Sequence, residues 1–299
     1  MALAFTWTEF FQQVAAGLRD GGIYASLALA LVIIYRSTRV INFAQGEMAT
    51  FTTFVALSLM NRGLSFWAAF PIVLVIAFVG GVAIERVIIR PVENAPTLTI
   101  VIVTLGLALF LNGLTSVIWG GGERQFDGPF STRTFDVAGV PFSVQDVGIV
   151  VVSFVLVALL ALFFRYTKLG LGMRAAALNP ASSRLAGIRV GWMLAFGWGL
   201  AAVLGAVSGM MIAPVVFLDP NMMQTVLLYA FAAAILGGLD SPLGAVVGGL
   251  VLGLTIDLLG RYVGWVGSTL KLPVALALIL VLLLVKPGGL FSRVAVRRV

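Results

Sequence analysis

The chain has 299 residues, of which 61% are hydrophobic and 10% are charged, and its formal net charge is +7. Soluble domains hold about 25% charged residues, so this composition is that of a polytopic membrane protein. Cysteine and histidine are both missing from the sequence, which excludes disulfides, thiolate metal sites and the commonest general base. Basic cytoplasmic loops account for the positive charge, so we predict no nucleic-acid partner.

Hydropathy predicts an all-α membrane bundle of about eight or nine spans, because a helical span needs about 20 mostly apolar residues. The first residues lack a basic stretch, so we expect no cleavable signal peptide. We treat 1–299 as one transmembrane domain. The predicted spans are 18–35, 44–60, 66–85, 97–119, 147–164, 192–217, 226–239, 243–259 and 270–285. The region 226–259 is either two full spans or a re-entrant pair of half helices.

The distribution of basic residues predicts how the bundle is oriented. Placing the segment 165–191 in the cytoplasm puts 13 of the 19 Lys and Arg residues on that side, with the N-terminus outside and the C-terminus inside. The cytoplasmic group includes the C-terminal Lys286, Arg293, Arg297 and Arg298. The segment 120–146 is then an external loop with room for short strands, and it is either a receptor for a soluble partner or a simple connector.

Small residues recur at helical spacing in the second half of the chain. Glycines stand four residues apart at Gly205 and Gly209, and again within the run 244–253. Such spacing lets helix backbones approach closely in lipid. We therefore predict tight helix packing at these glycines rather than ligand contacts.

A polar segment separates the first two predicted spans. Asn42 can cap a helix that begins at Phe43 or Ala44, which would place Gln45 at the third helical position and Glu47 near the positive helix end. These side chains either satisfy a helix break, which we favour, or line a solute path. Two further path candidates lie elsewhere: Asn112, which suits an interhelical hydrogen bond better, and Asp257.

The interruption from Arg165 to Arg189 is basic and contains no acid. Asn179 can be the N-cap and Pro180 the first residue of a short helix that Gly187 ends. A helix over 180–186 would be about 10 Å long, with 181, 185 and 188 on one apolar side, and it cannot span a membrane. The residues alone leave two equal interpretations: a helix on anionic lipid, or a helix in the groove of a cytoplasmic partner.

The sequence contains no Walker A motif, no HExxH zinc motif and no GxSxG elbow, so we predict no enzymatic activity. Uphill transport would then draw on an ion gradient or on a separate ATPase. An ion-coupled carrier usually shows acids embedded in the membrane, and few candidates are present here. An autonomous carrier or channel is disfavoured by this argument and stays open.

Four motifs in order along the chain resemble branched-chain amino acid ABC-transporter permeases. INFAQGE (41–47) resembles the family signature INFAHGE, with Gln45 at the position where the family usually has histidine. KLGLGMRAAALNPASSRLAGIRV (168–190) resembles the cytoplasmic coupling loop. AILGGLDSPLGAVVGGLVLG (234–253) and LLLVKPGGLF (282–291) resemble the C-terminal half. Because the chain has no histidine, protonation at Gln45 is excluded from its mechanism.

The resemblance implies a helical inner-membrane subunit of an importer for branched-chain or related amino acids. Its partners would be a second, related permease, two cytoplasmic ATPases and an extracytoplasmic solute-binding protein. ATP would act on the ATPases, and this chain would hold no cofactor or metal. Urea and short-amide permeases look similar, so the solute stays open. The implied coupling residues are Asn179, Pro180, Ser183, Arg184, Leu185 and Gly187.

Overall fold

The computed structural model describes residues 6–267, 269–286 and 288–291. Arg293, Arg297 and Arg298, which entered the orientation argument, lie outside this part of the chain. The described residues form helices and one hairpin, in this order: α1 Trp7–Thr38, α2 Gln45–Met60, α3 Phe66–Ile84, α4 Thr97–Trp119, β1 Thr134–Val137, β2 Val140–Ser143, α5 Val144–Tyr166, α6 Lys168–Leu178, α7 Pro180–Leu185, α8 Val190–Val216, α9 Met222–Gly237, α10 Pro242–Tyr262 and α11 Lys271–Val285.

Each of the nine predicted spans corresponds to a helix, which confirms a helical multi-pass membrane protein. Among the described residues six stretches are long and apolar enough to cross a membrane: Trp7–Arg36, Phe66–Val92, Thr97–Trp119, Val144–Tyr166, Val190–Val216 and Pro242–Tyr262. Helices α9 and α11 are apolar but shorter, and α2 has 16 residues. The count of eight or nine spans and the orientation therefore stay predictions.

The first helix is longer than the sequence indicated, because it begins at Trp7 rather than near residue 18. Its added turns, before residue 18, contain one charged residue, Glu9, and two glutamines, which lower the hydropathy there. Glu9 and the nearby Arg19 are both paired: Arg261 Nη2 lies 2.6 Å from Glu9 Oε1, and Arg19 Nη1 lies 2.9 Å from Asp146 Oδ1. Ion pairing lowers the cost of carrying these side chains in an otherwise apolar helix.

The chain divides into two compact units, with boundaries inside α1, α5 and α9 and one more between Pro129 and Phe130. The first unit contains the described residues of Met1–Val32, Phe130–Ser153 and Leu227–Val299, and the second contains Ile33–Pro129 and Phe154–Val226. In the second unit α8 packs against α2 and α3, α2 also contacts α4, and the short helices α6 and α7 pack near α8. In the first unit α10 packs against α11.

Close glycine contacts confirm the predicted tight helix packing. In the first unit a Cβ at Gly253 would collide with the backbone of Gly21 and Gly17, and one at Gly249 would collide with Ala25. In the second unit a Cβ at Gly209 would collide with the Thr53 hydroxyl and the Ala49 carbonyl, and one at Gly205 would collide with the Gln45 amide. Helices α1 and α10, and helices α2 and α8, thus approach at a distance that only glycine allows.

The segment 120–146, which was predicted to be external, contains a short β-hairpin in the first unit. Strands β1 and β2 are antiparallel, with Thr134 opposite Ser143 and Val137 opposite Val140. Ala138 (φ 53°) and Gly139 (φ 81°) both have positive φ, as a two-residue hairpin turn with the twist of the strands requires. The prediction of short strands is confirmed, and β1 is exposed along its whole length.

Candidate functional site

The polar segment before α2 is bonded within the second unit. Asn42 and Gln45 are fully buried. Asn42 Oδ1 accepts from the Ala44 amide (3.0 Å), and Gln45 Nε2 donates to the Ala201 carbonyl of α8 (2.8 Å). The predicted helix start at Phe43 or Ala44 is wrong, because the Asn42 turn occupies 42–44 and Gln45 is the first helical residue, not the third. These contacts favour the structural role for Asn42 and Gln45.

Glu47 lies two residues further on and has a different environment. Its side chain faces α4, where Asn112 Nδ2 donates to Glu47 Oε2 over 3.3 Å. The same Asn112 nitrogen lies 3.0 Å from the Pro220 carbonyl and 3.0 Å from Asn221 Oδ1. Asn112 therefore forms the expected interhelical hydrogen bonds. The structure brings Glu47 and Asn112 together, while their role in a solute path stays a prediction.

Sequence reasoning missed the third side of this cluster, the turn between α8 and α9. Asp219 Oδ1 accepts from the Asn221 amide (2.7 Å), which shapes the turn, and Gln224 Nε2 donates to Asn221 Oδ1 (2.8 Å). Asn221 and Gln224 are exposed. The sequence signal for this turn was the polar run DPN at 219–221 between two apolar spans. By hydropathy alone this run is only a connection.

Aromatic residues continue the contact between α2 and α4. Phe51 meets the Trp119 ring edge to face at 5.4 Å, and Phe54 stacks on it at 5.3 Å. Trp119 Nε1 donates to Ser58 Oγ over 2.7 Å, which fixes the indole. The seam between the two helices therefore changes from polar at Glu47 to aromatic within about two turns.

Asp257 belongs to the first unit and forms its own site. It is buried, and Lys271 Nζ from the start of α11 lies 2.6 Å from its Oδ1. Among the described residues no donor reaches its second oxygen, Oδ2. Nearby in the same unit, the rings of Tyr24 and Tyr229 stack at 4.9 Å. An ion pair that joins α10 to α11 gives Asp257 a structural role.

We expect Lys271→Met to destabilise the protein by about 3–5 kcal/mol, because it leaves the Asp257 carboxylate buried without its cation. Adding Asp257→Asn in the same chain should recover most of that loss. The measurement is thermal unfolding of the purified wild type, both single variants and the double variant, analysed as a double-mutant cycle. A double variant less stable than Lys271→Met alone would contradict the pairing role.

The basic segment contains the predicted short helix, α7. Asn179 is its N-cap and accepts from the Ser182 amide (3.0 Å), Pro180 is its first residue, and Gly187 follows it with φ 80°. Ser183 is buried, whereas the side chains of Arg184 and Leu185 are exposed, that of Leu185 to 92%. The predicted cap, start and stop are confirmed, and the helix ends at Leu185, one residue earlier than predicted.

The rest of the segment is not the loop that its basic, glycine-containing sequence indicated. Helix α6 fills Lys168–Leu178, and its N-cap Thr167 accepts from the Gly170 amide (2.9 Å). Gly170 allows α6 to pack directly on the backbone of Phe163 and Phe164 at the end of α5. Thr167 and the alanines 175–177 were the available signals for this helix.

Past α7, the chain enters α8 beside the end of α3. There α3 continues into a π-helical turn, Glu85–Ile89, and the Arg86 guanidinium lies 3.7 Å from the centre of the Trp192 ring. Glu85 is buried in the same turn. A cation–π contact at this distance joins the chain that follows α7 to a long apolar helix of the second unit.

Long apolar helices define a multi-pass membrane protein. The chain belongs to the family described as "Branched-chain amino acid transport system / permease component", whose model matches residues 13–285. This match confirms the family that the four sequence motifs indicated. This family is a transport component and not an enzyme.

Relatives of this chain that match it over nearly its whole length include two permeases of known name. The high-affinity branched-chain amino acid transport system permease LivH of Escherichia coli K12 is 30% identical over 97% of this chain and 98% of its own. The corresponding permease BraD of Pseudomonas aeruginosa is 30% identical over the same shares. Among solved structures, PsaBC from Streptococcus pneumoniae in complex with Fab aligns with a TM-score of 0.48 and 14% identity, over 93% of this chain and 92% of that one.

Proposed function

We propose that this chain is the membrane permease subunit of an ATP-binding-cassette importer for branched-chain or related amino acids. It would move solute by alternating access, catalyse no bond breaking and bind no cofactor, because ATP would be used by a separate ATPase. The family match over residues 13–285 carries this proposal. LivH and BraD are named as branched-chain amino acid permeases, which supports the choice of solute.

The proposed location is the plasma membrane, the inner membrane in a bacterium, with the N-terminus outside and the C-terminus in the cytoplasm. Three basic residues assigned to the outer side, Arg19, Arg261 and Lys271, pair with acids of the first unit. Cations that are paired with acids contribute little to the positive-inside bias, so the pairing supports this orientation. Nine spans would follow if α2, α9 and α11 all cross in addition to the six longer stretches, and eight if two of the three do.

The proposed partners are two cytoplasmic ATPases, a second permease that is a related chain, and an extracytoplasmic binding protein. Helix α7 would be the coupling helix, since it presents Arg184 and Leu185 outward from a defined cap at Asn179. The exposed strand β1 offers Phe135 and Val137 as an external surface for the binding protein. The Arg86–Trp192 contact would transmit movement of α7 to α3.

Reconstitution tests this proposal against its alternatives. The chain, a related partner permease, the ATPases and an extracytoplasmic binding protein are placed in liposomes. We expect leucine uptake that needs ATP, both other subunits and the binding protein. Uptake by the chain alone under a proton or sodium gradient would contradict the importer class. Uptake of urea or a short amide, with leucine, isoleucine and valine ignored, would contradict only the solute.

A further inference from the structure

The Asn112 amide nitrogen is surrounded by three oxygens of the second unit. They are Glu47 Oε2 at 3.3 Å, the Pro220 carbonyl at 3.0 Å and Asn221 Oδ1 at 3.0 Å. A primary amide nitrogen has only two hydrogens, so three acceptors share two donors. Three oxygens around one nitrogen is the arrangement that an ammonium group, with its three hydrogens, would satisfy completely.

The charge of this cluster is also incomplete. Glu47 is 7% exposed, and the ion pairs of the described residues do not include it. Asp257, the comparably buried acid of the first unit, has Lys271 as its ion-pair partner. A buried carboxylate without a cation costs several kcal/mol, so acids inside membrane helices mark functional sites. A proton on Glu47 would add one donor, whereas an ammonium group adds three donors and the missing charge.

We propose that Glu47, Pro220 and Asn221 bind the primary ammonium group of the transported solute, and that Asn112 holds its place in the structure described here. Solute binding would displace the Asn112 amide and neutralise Glu47. This inference rests on the proposed function, since it assigns one site within the permease. It also names the solute chemistry: the site selects a primary amine and disfavours urea and short amides, which are uncharged.

The neighbouring surface fits an aliphatic side chain on that amine. Phe51 lies one turn after Glu47 on the same side of α2, about 6 Å along the helix axis. Its contact with Trp119 places an aromatic surface there. Asn221 and Gln224 are exposed, so the cluster reaches the surface of the second unit and a solute has a way in. An ammonium head and an apolar tail thus have matching positions.

The test uses the assembled transporter, without its binding protein, in lipid nanodiscs. Binding of radiolabelled leucine is measured with two competitors. Isoamylamine has the ammonium group but no carboxylate, and 4-methylpentanoate has the carboxylate but no ammonium group. We expect isoamylamine to compete and 4-methylpentanoate to fail. Glu47→Gln should weaken the binding of leucine and of isoamylamine about tenfold or more, because the replacement keeps the shape of the side chain and removes its charge. Asn112→Ala should keep or tighten leucine binding.

The same substitution at an unrelated acid is the control: Glu9→Gln, in the Arg261 pair of the first unit, should leave leucine affinity unchanged. If the wild type transports leucine and Glu47→Gln binds it equally well, the ammonium site is wrong and the proposed function stands. If the transporter carries only urea, both fail. Should Glu47→Gln not assemble, the wild-type competition decides, and equal competition by 4-methylpentanoate overturns the site.

Discussion

Replacing Gly253 by leucine is expected to remove most of the folded protein from the membrane. Leucine is the better helix former by roughly 0.6–1 kcal/mol, so propensity alone would stabilise α10. The side chain, however, has no space: a Cβ at Gly253 already collides with the backbone of Gly21 and with the Gly17 carbonyl of α1. Because backbone cannot rotate away as a side chain can, α1 and α10 must separate. Overpacking usually costs about 1–3 kcal/mol, and contacts with backbone belong at the high end of that range.

The chain offers a matched control for this prediction. Gly106 lies in α4, another apolar helix, and has no atom of the described chain within 4 Å of the Cβ position. Gly106→Leu should therefore be neutral or slightly stabilising. The measurement is the amount of monodisperse protein after detergent extraction and its thermal unfolding midpoint, for both variants beside the wild type. Equal losses at the two positions would show that glycine matters there for another reason than the approach of α1.

The same contacts explain what the sequence could predict. Hydropathy found every long helix, and spacing found the close packing, because both are local properties of the chain. The start of α1 was missed because Glu9 and two glutamines make residues 7–17 look unsuited to lipid, and only the fold provides the partner of Glu9, Arg261. Pairing between residues more than 100 positions apart has no signal in a single sequence.

The candidate site shows the same limit. Asn42, Gln45 and Glu47 looked alike as a polar run, and they differ only through what α8 and α4 present to them. Gln45 meets a backbone carbonyl that satisfies it, whereas Glu47 meets amides that leave its charge uncompensated. By contrast, the cap and stop of α7 were predictable, since Asn179, Pro180 and Gly187 act on their own neighbours.

Arg184→Glu is expected to abolish most ATP-driven uptake while the protein still inserts and folds. Arg184 is exposed on α7, and its side chain has no hydrogen bond or ion pair to the described chain, so the fold does not depend on it. A short helix of this length is not stable alone and relies on its cap and on what it contacts. If its outer surface lies in an ATPase groove, reversing one charge there replaces an attraction with a repulsion.

The measurement is co-purification of the ATPases and leucine uptake in liposomes, beside Arg62→Glu as control. Arg62 is exposed in the turn between α2 and α3, on the proposed outer side, so the same charge reversal should leave ATPase binding unchanged. The competing interpretation places α7 on anionic lipid. In that case Arg184→Glu would keep the ATPases and change only the dependence of uptake on anionic lipid. Loss of the ATPases in Arg184→Glu but not in Arg62→Glu therefore separates a partner groove from a lipid surface, which the residues of α7 alone could not do.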